Sequence, residues 1–164
     1  MMEYLLTYGV ALLVILLVLA IIAVLVLPSL TAGENCQFRE QGFGCSTKKH
    51  VIVADDVTNN VRVIFQLDNQ QGRAVDIKGV VCTNEPPANV QRDQITGGCT
   101  GRLAAGATME CEAGCVDVDA NPVTLTPNSN FDGSIGIKYN YQDEVSGAPE
   151  RMAVATLTGK VQAE

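Results

Sequence analysis

The hydrophobic pattern changes period once along the chain. Residues 5–27 carry no charge, and their apolar side chains fall on every side of a helix rather than along one stripe. At about 1.5 Å per residue, a helix of roughly 23 residues spans about 35 Å. That is enough to cross a hydrocarbon core of about 30 Å with some tilt. A helix apolar all round must be covered all round, by lipid or by protein. Residues 1–28 are therefore expected to form one helix ended by Pro28, with residues 29–35 as a linker and residues 36–164 as a globular domain.

Beyond the linker the period becomes two. Residues 50–54, 61–67, 74–83, 108–111, 123–126, 134–142 and 152–161 are rich in β-branched side chains, partly alternate with polar ones, and read as strands. Turn residues at 68–72 predict a hairpin between the second and third of these. The stretch 145–149 predicts another between the last two. The many short strands give an α+β expectation: a long hydrophobic helix followed by an antiparallel β-sandwich of immunoglobulin-like type. Residues 84–101, rich in Pro, Asn and Gly, read as a loop held by Cys99.

Composition narrows the function classes. The net charge is −7, and up to Leu27 only Glu3 contributes to it. An acidic domain argues against nucleic acid and against a basic patch on anionic lipid. All six cysteines lie beyond Pro28: Cys36, Cys45, Cys82, Cys99, Cys111 and Cys115. An even count behind a membrane segment reads as disulfides in an oxidising, extracytoplasmic space. The chain has no Cys-x-x-Cys pair, which argues against a zinc site, and Cys111-x-x-x-Cys115 is followed by Val116, which argues against covalent haem. Cys36 and Cys45 flank a glycine-containing turn and are expected to pair. Strand neighbours favour Cys82 with Cys111 and Cys99 with Cys115, with exchange between these two pairs left open.

Candidate chemistry is sparse. His50, the single histidine, follows Lys48 and Lys49 and reads as a solvated surface residue. No nucleophile elbow accompanies it, which argues against a hydrolase. Asp117-x-Asp119-x-Asn121 begins like a calcium loop, but Pro122 stands where glycine is required and Asn128 where glutamate is. A plain acidic loop fits better, with an irregular calcium site as the competing reading. Tyr4 and Tyr8 share a helix face and read as packing residues. No Asn-x-Ser/Thr sequon occurs. Neither a cofactor, a metal nor a catalytic residue is expected.

The segment Glu3-Tyr4-Leu5-Leu6-Thr7-Tyr8-Gly9-Val10-Ala11, followed by Leu12-Leu13-Val14-Ile15, resembles the N-terminal helix of archaeal type IV pilins. Those proteins are made with a short class III signal peptide that a prepilin peptidase removes. The absence of Lys or Arg before the apolar run fits a chain whose basic leader has been cut away just before Met1. The family usually carries its glutamate at the fifth mature position; here it is third. The resemblance covers roughly the first 27 residues and implies the following. The chain would sit in the cytoplasmic membrane before assembly. It would then polymerise through its helix into an extracellular filament of identical subunits at the cell surface, for adhesion. A prepilin peptidase, an assembly ATPase and a membrane platform would serve that assembly. Glu3 would fix axial register by meeting the α-amino group of a neighbouring subunit. The alternatives are a monomeric, single-pass membrane-anchored binding domain and a minor pilin-like component of a secretion or uptake machine.

Overall fold

A computed structural model of the chain describes residues 2–30, 33–45 and 48–164, with side chains described for 4–23, 33–45 and 48–164. Two compact units result, residues 1–33 and 34–164. The first is the helix α1 (Met2–Leu30). It runs through Pro28, where the sequence suggested a stop. Proline's fixed φ is itself helical, so near a C-terminus it removes one backbone bond without preventing the final turn.

The second unit contains β1 (Asn35–Phe38), β2 (Phe43–Gly44), β3 (Val51–Ala54), β4 (Val61–Asn69), β5 (Val75–Thr83), β6 (Gly101–Leu103), β7 (Thr108–Val116), β8 (Asn130–Tyr141) and β9 (Arg151–Ala163). Six of them close on themselves in the order β3-β4-β7-β5-β8-β9 and back to β3. The expected immunoglobulin-like sandwich, with two open sheets, is thus replaced by a closed six-stranded barrel. Two antiparallel halves, β3-β4-β7 and β5-β8-β9, meet along two short parallel seams. One seam pairs β5 with β7 at Cys82↔Cys115 and Thr83↔Val116. The other pairs β3 with β9 at Ile52↔Val161, Val53↔Gln162 and Ala54↔Ala163. β1 extends the ring beside β9, β6 beside β5 and β2 beside β4.

Alternation decides which residues face inward. Val61, Val63, Phe65 and Leu67 on β4 are buried, as are Phe131, Ile135 and Ile137 on β8. They meet Leu157 and Val161 of β9 in one core. The β8–β9 hairpin forms as the turn signal at 145–149 predicted, with register from Asn130↔Lys160 to Tyr139↔Arg151.

The expected hairpin between 61–67 and 74–83 does not form, because β7 lies between β4 and β5 in the ring. Asn69 explains the redirection. Its side chain is buried, and its amide donates to the carbonyls of Arg73, Leu103 and Ala104 at 3.0–3.1 Å. Its Oδ1 accepts the Gln71 N–H. The turn is thereby tied to the β6–β7 connection instead of folding back on β4. The expected strand at 123–126 shrinks to one isolated bridge, Asn60↔Thr124; just before it Pro122, which cannot donate to a ladder, bridges Val116.

Each disulfide joins one half of the barrel to the other. Cys36 on β1 bonds Cys45, which follows β2, as expected. The other two pairs are the exchanged ones: Cys82–Cys115 and Cys99–Cys111. β7 carries Cys111 and Cys115 four residues apart, hence on the same face. The parallel seam sets Cys115 opposite Cys82, with Cα atoms 4.3 Å apart. That leaves Cys111, farther from the seam, for Cys99.

Residues 84–100 form the loop predicted for 84–101, with Gly101 already in β6; its 3-10 turns at Pro87–Asn89 and Arg92–Gln94 lie over the outside of the barrel. Val90 and Ile95 pack there on Val81 and Val154. Gly136 makes room for them: a Cβ at that position would lie 2.7 Å from Cγ1 of Val90. The Ser134 hydroxyl donates to the Glu85 carbonyl at 2.7 Å and the Val80 N–H to the Gly97 carbonyl at 2.6 Å.

Candidate assembly surface

The one large unpartnered surface among the described residues lies on α1. From Tyr4 to Ala23 twenty residues form an apolar span, and no part of it is buried within the chain. Tyr4 is 87% exposed and Leu13 62%, and even Leu12, among the most covered, is 48% exposed. Exposed side chains occur at every helical phase, so no single face is reserved for an intramolecular partner. Soluble monomers rarely leave contiguous apolar surface of this extent uncovered, and such surface marks a protein or membrane contact. Tyr4 and Tyr8, expected to pack, touch nothing within the chain that buries them. Glu3 belongs to α1, but its side chain lies outside the described residues.

The polar groups of the barrel are engaged in holding its own fold. His50 is buried, not solvated as expected. Its Nε2 lies 3.0 Å from the Thr158 carbonyl, and since a carbonyl only accepts, that nitrogen carries the proton. Burial pushes its pKa below the ordinary value; the hydrogen bond to Thr158 opposes this and the charge of Lys49 adds to it. Asp117 uses its Oδ1 to accept the backbone N–H groups of Asp119 and Asn121, both at 2.9 Å. It closes a turn in which Ala120 adopts φ 63°. Among the described residues no group of three His, Cys, Asp or Glu side chains is placed to hold a metal ion.

One arrangement has no precursor in the sequence. The Tyr141 ring meets two guanidiniums, Arg73 at 4.4 Å and Arg151 at 4.8 Å from its centroid. Arg73 pairs with Asp143 and Arg151 with Glu144. Tyr141 continues into Tyr139, Phe43 and Phe38 at centroid spacings of 5.7, 4.8 and 5.9 Å. These residues are far apart along the chain, so no local motif announces them. The two cation–π contacts link Arg73 of the β4–β5 turn and Arg151 at the start of β9 to the end of β8. A polar groove of about 560 Å³ runs along residues 36–45 and Gln70. Its aromatic members, Phe38 and Phe43, are buried beneath it and offer no exposed ring for stacking.

No family model, no curated protein and no solved structure matches this chain. An apolar N-terminal helix together with disulfides of the extracytoplasmic kind is the equipment of a membrane-anchored or secreted protein.

Proposed function

We propose that this chain is the structural subunit of an archaeal type IV pilus-like filament that serves surface adhesion. The observation that carries the reading is the helix exposed and apolar on every side from Tyr4 to Ala23. One surface of this kind suits lipid before assembly and a bundle of identical helices afterwards. Once the helix leaves the lipid, exposing that surface to water would cost about 25 cal/mol per Å², so it stays buried among its copies. Repeated contacts that do not close on themselves give an open polymer. The disulfide-stapled barrel then forms the outer surface, and the filament's role is mechanical, without catalysis.

In this reading Glu3 meets the α-amino group of an adjacent subunit, since a carboxylate buried without a partner is costly. The partners are copies of the chain, the membrane before export, and a prepilin peptidase with an assembly ATPase and platform. Expression in a cell that supplies that machinery should yield sheared filaments visible by electron microscopy. Glu3→Ala should abolish or shorten them while leaving the barrel folded; filaments of normal length and yield from that variant would end the register role. A single-pass anchored binding domain draws support from the same span length. It requires isolated molecules and a ligand for the groove along residues 36–45.

A further inference from the structure

The chain passes from α1 into the barrel at Glu34, the first residue of the second unit. There it becomes β1, whose ladder is short: four antiparallel pairs to β9, from Asn35↔Thr158 to Phe38↔Ala155. β1 is also the terminal strand of the sheet path, with a strand partner on one edge. Tension on the helix, whether its far end is held by lipid or by other helices, acts first on these four pairs. A ladder of this length on an edge opens more readily than the long ladders of the ring.

The following segment fastens that place three times. Cys45 bonds Cys36, the second residue of β1, with Cα atoms 5.8 Å apart. The Lys49 ammonium lies 2.5 Å from the Glu34 carboxylate, which is only 27% exposed. The buried His50 donates from Nε2 to the carbonyl of Thr158, the residue that faces Asn35 across the β1–β9 ladder. Gly159 leaves the space for this ring, since a Cβ there would lie 3.3 Å from the imidazole nitrogen. One step further along, the same segment becomes β3, which pairs with both β4 and β9.

We propose that Cys45, Lys49 and His50 form a collar around the entry strand β1, the first strand after the apolar helix in the chain. It hands pull on the helix to the whole barrel instead of letting β1 peel away. The three ties differ in kind, covalent, ionic and hydrogen-bonded, yet all converge on the entry strand and its β9 partner. The covalent tie sets a limit to peeling: strand removal that begins at Glu34 stops at Cys36 and cannot proceed unless Cys45 moves as well. Cys45 is itself fully buried against the core.

The test is single-molecule stretching of the full chain in detergent, tethered at its N- and C-termini. Wild-type barrel should rupture in one event. The Cys36→Ala/Cys45→Ala double variant should show an additional earlier event, at lower force, that frees the entry segment while the ring remains folded. A single rupture at wild-type force in that variant would overturn the collar, as would an early event already present in wild type. If the double variant does not fold, wild type held at constant force in reductant decides the matter. Cleavage of Cys36–Cys45, nine residues apart, should then give a first step of about 30 Å at roughly 3.4 Å per residue, before the barrel opens. Opening of the barrel before that short step overturns the proposal. The outcome does not depend on whether the chain forms filaments, so the two proposals fail separately.

Discussion

The helix and the barrel meet the same requirement, covering apolar surface, in opposite ways. The barrel covers its own: Ile52, Leu67, Ile135 and Leu157 are all but completely buried, and three disulfides tie its halves together. The helix covers none of its own: each described side chain from Tyr4 to Ala23 is exposed within the chain. Stability therefore belongs to the second unit, and the uncovered apolar surface to the first. Substitutions in the two regions should be read out by different experiments, unfolding for one and assembly for the other.

Removing the helix is the largest perturbation of that division. A chain beginning at Glu34 should remain folded and sediment as a soluble monomer. Fibres formed by it would move the association surface onto the barrel. Next comes the Cys82→Ala/Cys115→Ala variant. That bridge spans 33 residues across a seam of two residue pairs, and closing a loop of that length contributes about 4 kcal/mol. Urea unfolding should show a loss of that order, with a local rise in hydrogen exchange at Thr83 and Val116; an unchanged midpoint would remove the bridge from the account.

A matched pair of leucines then separates the two regions directly. Leu157→Ala should cost the barrel about 2–5 kcal/mol, because Leu157 is buried in the core. Leu13→Ala should leave the unfolding midpoint of the barrel untouched and weaken assembly. A barrel sensitive to Leu13→Ala would show that the units are not independent.

The smallest effect concerns His50. Its pKa in the fold is lowered, so the unfolded chain binds the proton more readily. The contribution is fully present above the ordinary value of about 6.5. It declines as pH falls from there through the lower folded value, and is constant below it. His50→Gln should flatten this segment of the profile relative to wild type between neutral and mildly acidic pH; parallel profiles would show that His50 does not titrate across folding.

The features legible in the sequence were those set by local pattern. The helix was legible because residues 5–27 carry no charge, and six strands because β-branched residues alternate over 50–54, 61–67, 74–83, 108–111, 134–142 and 152–161. The Cys36–Cys45 bridge was legible because it spans one short turn. What depends on distant neighbours was not. The closed ring follows from two parallel seams that join segments far apart in sequence. The exchange of the remaining disulfides follows from the β5–β7 register, which no local spacing encodes. β1, β2 and β6 are two to four residues long and are strands only because β9, β4 and β5 offer them an edge. His50 looked solvated beside two lysines, and is buried because Thr158, 108 residues away, presents a carbonyl to it.

The most direct measurement is cryo-electron microscopy of the intact chain purified from cells that process and export it. The account predicts filaments with the α1 helices bundled along the axis, Tyr4–Ala23 in contact with neighbouring copies, and the barrels outside. Isolated molecules, each with one helix in its own patch of lipid or detergent and no helix-to-helix contact at any protein concentration, would contradict it.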